Sequence, residues 1–154
     1  MALTAQTTLD IVNSNQQISF YSSSVLVDQI IYSNNQLTFA TIAQYNLSKS
    51  DFLLFYQYLN VYFLALQTNF AVVNSSLQNI WPLCQFDITE NNIGTTKLIY
   101  TQASSGTNVL VVNYVPIAMA ASISARASPV VISVQEFFMT MNMLTQFTHQ
   151  VSLN

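Results

Sequence analysis

Any chemistry in this chain has to begin with His149 and Cys84, its single histidine and single cysteine. A Ser-His-Asp arrangement would use His149 as its base, yet that residue stands near the C-terminus, where chains commonly fray. No G-x-S-x-G elbow presents a serine, and two glycines, Gly94 and Gly106, cannot build a phosphate-cradling loop. His149 is therefore expected at the surface or at an interface. A zinc site needs three or four ligands, more than one histidine and one cysteine supply. Cys84 reads as a small buried hydrophobe, with an intermolecular disulfide as the alternative.

Asp87 and Glu90 stand three apart in Asp87-Ile-Thr-Glu-Asn-Asn92. They could hold a calcium ion or act as an acidic pair, against the plainer expectation of a solvated turn. Asn46-Leu-Ser48 and Asn74-Ser-Ser76 fit the glycan-acceptor pattern, a weak signal in a chain with 15 asparagines. General acid–base work needs groups that titrate near neutrality, and almost none are present. No enzymatic activity, cofactor or metal is expected.

Composition narrows the field further. Only 6% of the 154 residues are charged, against roughly 25% in an ordinary soluble domain. Neutral polar groups take their place: 15 Asn, 14 Gln, 17 Ser and 14 Thr. Three basic residues, Lys49, Lys97 and Arg126, cannot neutralise a run of phosphates, so no nucleic-acid partner is expected. An apolar fraction of 51% argues against disorder, and the length suits one domain spanning 1–154. Met1 to Asp10 holds no basic residue and no apolar run of seven, unlike a signal peptide.

With so few ionisable groups, net charge moves only from -3 at pH 7 to about +4 in strong acid. Such a surface hardly responds to acid. A small charge on a half-apolar chain also favours association. The composition suits a subunit covered by copies of itself; drift in a biased codon alphabet is the alternative.

The elements that would position these residues are mostly strands. Asp10 to Val12 and Ile18 to Phe20 flank Asn13–Gln17, and Ile30 to Tyr32 and Leu37 to Phe39 flank Ser33–Gln36. Both read as hairpins whose turns use Asn and Ser in place of glycine. Ile11–Phe20 and Ile30–Phe39 align residue for residue, either as a duplicated hairpin or by chance in a narrow alphabet. A seven-residue spacing of Ile11, Ile18, Val25, Tyr32 and Phe39 offers a competing helix, and with it a mainly α bundle. Its second seam fails at Ser14, Asp28 and Asn35.

Ser48-Lys-Ser-Asp51 resembles a helix start. Phe52, Phe55, Leu59, Tyr62, Leu66, Asn69 and Val73 then keep 3–4 spacing, so the pattern predicts one long apolar helix over 51–78, ending before Pro82. Residues 52–73 are uncharged and long enough to cross a bilayer. Their interior amides and dispersed tyrosines argue for a buried helix instead. Lys97–Thr101 and Val109–Val115 form another hairpin signal around 103–108, and Val130–Val134 is a short apolar run after Pro129. Phe137, Met139, Met141 and Met143 alternate with Phe138, Thr140, Asn142 and Leu144, which predicts a strand. The expected architecture is thus mainly β, sandwich-like, with one long helix.

The function that fits is a self-assembling structural protein, most simply a viral capsid or coat subunit, acting in a virion or an extracellular assembly. Its partners would be copies of itself and other structural proteins of the same particle. The charge-poor, amide-rich composition is like that of surface and virion proteins of acid-living microbes. A pilus-like extracellular filament subunit is the nearest alternative. A membrane-associated protein anchored by 52–73 is another, and a carbohydrate-binding sandwich using Trp81 is a third. Subunit contact is expected at Phe52, Phe55, Tyr56, Leu59, Tyr62, Phe137, Met139, Met141 and Met143, since apolar and methionine-rich faces adapt to a neighbour.

Overall fold

A chain with two glycines must turn with other residues, and the first hairpins show how. The computed structural model describes residues 3–41, 44–70, 84–90, 96–102, 107–124 and 129–153, with only the backbone for 84–90, 96–97, 100–102 and 107. Strands β1 (Leu3–Asp10) and β2 (Asn15–Ser22) pair antiparallel around a four-residue loop. In that loop Ser14 has a φ of 51° and its N–H donates to the Ile11 carbonyl at 3.2 Å. Asn13 closes the loop by donating from its side chain to the Asp10 carboxylate at 2.7 Å.

The next two turns are two-residue loops. Ser23 and Ser24, with φ of 51° and 67°, join β2 to β3 (Val25–Ser33). Asn34 and Asn35, with φ of 51° and 64°, join β3 to β4 (Gln36–Thr41). Two successive left-handed residues match the natural twist of a hairpin. Both expected hairpins are present. The first turns earlier than its sequence suggested, at 11–14, because the pairing continues to Asp10–Asn15.

The chain then crosses to a second sheet through β5 (Tyr45–Ser48), which leads straight into helix α1 (Lys49–Phe70). Ser48 caps that helix as its sequence implied: its Oγ accepts the Asp51 N–H at 3.2 Å. The expected core stripe is also present, with Phe52, Phe55, Leu59, Tyr62 and Leu66 buried. The part expected over 71–78, with Val73 and Asn74, lies outside the described residues. No helix among the described residues is long and apolar enough to cross a membrane.

Strands β6 (Cys84–Glu90), β7 (Thr96–Gln102), β8 (Thr107–Val115) and β9 (Ala120–Ser124) form an antiparallel meander. The β7–β8 pairing is the hairpin expected there. A 3₁₀ turn at Pro116–Ala118 joins β8 to β9, and the Met119 carbonyl beyond it accepts the Lys49 N–H at 2.8 Å. β10 (Val130–Ser133) returns to the first sheet. The two five-stranded antiparallel sheets are ordered β1-β2-β3-β4-β10 and β5-β9-β8-β7-β6.

The strand expected at 137–144 is a helix, α2 (Val134–Leu153). Phe137, Met141, Leu144, Phe147 and Val151 are buried at helical spacing, and Phe138, Met139 and Thr140 are buried as well. That burial on several sides erased the amphipathic contrast and left an accidental period of two. The start signal is a reciprocal cap. Ser133 Oγ accepts the Glu136 N–H at 3.1 Å, while the Glu136 carboxylate accepts the Ser133 N–H at 3.0 Å.

The architecture is thus mainly β, two antiparallel sheets with two helices packed against both and against each other. Phe55 meets Phe20 of β2 with ring centroids 4.7 Å apart, and Phe137 meets Phe39 of β4 at 5.9 Å. Phe52 meets Phe147 edge-on at 6.0 Å, joining the helices. Lys49 Nζ donates to the Ser152 carbonyl at 3.4 Å, placing a cation at the negative end of α2. Ser133→Ala should lower the unfolding free energy by about 1 kcal/mol, read as a lower midpoint in urea. An unchanged midpoint would show that α2 does not depend on its cap.

Candidate functional site

The residues expected to touch other subunits lie in the chain's own interior. Phe52, Phe55, Leu59, Tyr62, Phe137, Met139 and Met141 are all buried. Tyr56 and Met143 are half-buried against the same core. The Tyr56 hydroxyl shares a 2.7 Å hydrogen bond with Thr145 Oγ1 of α2. The 3–4 spacing marked the buried face of α1, whereas Phe137, Met139, Met141 and Met143 were grouped by an alternation that the helix α2 does not keep. The contact that both groups make here is helix to sheet and helix to helix within one chain, which leaves seven of them no free surface for a second copy.

Two polar centres are built into the inner face of the first sheet. At one end, Tyr62 of α1 donates its hydroxyl to the Gln16 carbonyl at 2.8 Å, and Asn69 donates to Gln16 Oε1 at 3.2 Å. Asn69 was the polar break in the helix stripe, and this bond accounts for it. At the other end, Asp28 of β3 is buried. Its carboxylate accepts the Thr41 hydroxyl at 3.3 Å and the Tyr45 hydroxyl at 3.0 Å. Burial pushes the Asp28 carboxyl up to about 7, against the pull of the Tyr45, Thr41 and Gln29 N–H bonds. Burial, and then the charge of Asp28, push the Tyr45 phenol up in turn.

The other candidates do not gather. His149 is exposed on α2, and Asn46 is exposed on β5. Asp87 and Glu90 lie on strand β6, not in a turn, at positions paired with Ile99 and Thr96. Cys84 begins the same strand, and its side chain, like Trp81 and Asn74, falls outside the described residues. Among the described residues no three His, Cys, Asp or Glu come together as a metal site would need. An open groove of about 330 Å³ between α1 and α2 is lined by Asn60, Phe63, Gln67, Phe138, Met141, Asn142 and Thr145. It holds no ionisable group.

The remaining feature is an edge. β1 ends the first sheet and has no strand on its outer side among the described residues. From Gln6 to Asp10 its side chains are exposed on both faces. Thr7 and Leu9 lie opposite Ile18 and Gln16, on the face that is buried elsewhere in the sheet, yet Leu9 is 46% exposed. Ile11 and Val12, 62% and 93% exposed, continue this apolar corner. Sequence reasoning missed it because edge position depends on strand order. The nearest signal was Leu3–Leu9, a run with no charge, glycine or proline.

Among known protein families, curated proteins and solved structures, none matches this chain.

Tyr62→Phe should lower stability by about 1 kcal/mol, because it removes the buried hydroxyl bond to the Gln16 carbonyl without opening a cavity. Denaturant titration measures the loss. A neutral result would mean that the Gln16 carbonyl finds another donor.

Proposed function

We propose that this chain is a self-assembling structural subunit, of a virion coat or an extracellular filament, that joins copies of itself by strand addition at β1. The observation that carries this reading is the open edge of β1, uncharged from Leu3 to Leu9, with the inner-face Leu9 itself half-exposed. Monomeric sheet proteins guard their edges with charge, proline, short strands or a covering element.

The other three edges of this fold have such guards. β10 is four residues long, follows Pro129 and turns directly into α2. β5 is four residues long and turns into α1. β6 carries Asp87 and Glu90. β1 is eight residues long and meets its first charge only at Asp10.

A strand from a neighbouring copy would pair the free N–H and C=O groups of β1. It would also cover Thr7, Leu9, Ile11 and Val12. Pairing two β1 edges gives a twofold dimer with one continuous sheet; pairing β1 with a different edge gives an open chain. The neutral amides and hydroxyls of the outer face would then contact neighbours through bonds that neither salt nor acid breaks. The partners are copies of this chain and, within the same particle, other structural proteins.

The test uses Thr7→Lys and Leu9→Lys, which place charge on the edge without touching the core. Sedimentation and negative-stain electron microscopy at pH 3 and pH 7 should find wild-type assemblies. The variants should be folded monomers with native-like circular dichroism, melting below the assembled wild type by the stabilisation that assembly adds. Wild-type protein that stays monomeric at high concentration, or variants that assemble as the wild type does, would overturn the proposal.

A further inference from the structure

We propose that Asp28, Thr41 and Tyr45 form a proton-dependent latch that holds the two sheets together in acid and loosens as the Asp28 carboxyl ionises. Asp28 follows the extra residue of a β-bulge: Phe20 pairs with Asp28 but Tyr21 pairs with Leu26, leaving Val27 unpaired. A bulge re-aims the side chains beside it. Val27 and Asp28 are consequently both buried, although they are adjacent in a strand.

Three strands meet at this carboxyl. Thr41 is the register partner of Asp28 and the last residue of β4, in the first sheet. Tyr45 is the first residue of β5, in the second sheet. The two hydroxyls that bond Asp28 therefore flank the segment in which the chain leaves one sheet for the other. One side chain fastens both ends of that crossing.

The surroundings give an ionised carboxylate little compensation. From β2 it faces Phe20, from β4 Thr41 and from β5 Tyr45, the one titratable group bonded to it. From α1, Phe55 packs on Phe20, the cross-strand partner of Asp28. The other described charged groups on the packed elements are engaged elsewhere. Lys49 bonds the end of α2, Asp51 sits in the first turn of α1, and Glu136 bonds Ser133. No lysine, arginine or histidine among the described residues bonds the Asp28 carboxylate. A carboxylate left with hydroxyl and N–H donors and no cation is costly to bury. Burial favours the protonated form, which still keeps both hydroxyls as partners by donating to one while accepting from the other.

The sign of the linkage follows. Asp28 holds its proton more tightly in the folded chain, to about 7, than at its ordinary 3.8. Its contribution is therefore complete below about pH 3.8, is lost as pH rises towards 7, and is absent above that. This is the reverse of the common pattern, in which paired carboxylates lose stability in acid. Asp10, bonded by Asn13 and held below its ordinary value, follows the common sense but stands fully exposed.

Denaturant titrations of the whole chain from pH 3 to pH 9 test the latch. For the wild type the folding equilibrium constant should fall by on the order of 10²–10³-fold across that range. Asp28→Asn, a permanent mimic of the neutral acid, should flatten the profile. Wild-type stability that is constant or rises with pH, or an Asp28→Asn profile parallel to the wild type, would overturn the proposal. Where Asp28→Asn does not fold, the carboxyl ¹³C shift of Asp28 in the wild type decides. An inflection near neutrality supports the latch, and one in the ordinary carboxylate range refutes it. Tyr45→Phe removes a donor to the ionised form and should move that inflection to higher pH; an unmoved inflection would exclude Tyr45 from the latch.

Discussion

Nearly every polar contact that organises this interior is a hydrogen bond between uncharged groups. Tyr62 to the Gln16 carbonyl, Asn69 to the Gln16 amide and Tyr56 to Thr145 hold α1 to β2 and to α2. Among the described residues two buried carboxylates interrupt the pattern, Asp28 and Glu136, and each bonds to neighbouring hydroxyls or backbone amides. A neutral bond adds only about 1 kcal/mol net, so specificity has to come from packing. The aromatic contacts supply it: Phe55 on Phe20 and Phe137 on Phe39 fix the helices against the first sheet, and Tyr62 on Phe137 joins the helices to each other.

The same scarcity of charge shapes the surface. Edge strands in monomers are commonly blunted by lysine, and this chain has only three basic residues in total. Short strands, Pro129 and turns into helices protect some edges instead. β1 has none of these. Leu9 is half-exposed on the inner face because α1 packs against the start of β1, where Leu3 is buried, and leaves the end of the strand from Gln6 onward exposed. The assembly reading follows from that geometry together with composition: a neutral surface tolerates acid and salt, and its free backbone edge offers directional bonds.

Local signals carried much of the fold. The Asn34-Asn35 turn, the Ser48 cap with Asp51, and the 3–4 spacing from Phe52 to Leu66 were all legible, because each depends on residues close in sequence. α2 was not, although Ser133-Val-Gln-Glu136 is a capping-box pattern. Methionine and phenylalanine at nearly every position from Phe137 to Met143 support either period, and only the cap distinguishes them. The bulge at Val27 was hidden for a related reason: Val27 and Asp28 break the alternation that identifies a strand's inner face.

What the sequence could not assign was ownership of the apolar surface. Phe52 or Met141 is equally apolar whether it meets its own sheet or another copy, so composition implied burial without saying by whom. The open edge was invisible for a topological reason: β1 is outermost because β10, from the far end of the chain, adds beside β4. The most direct measurement is amide hydrogen exchange in assembled and dissociated protein. Strand addition at β1 predicts that amides between Thr4 and Leu9 become strongly protected on assembly while those of the inner strands change little. Equal exchange of β1 in the two states would contradict the account.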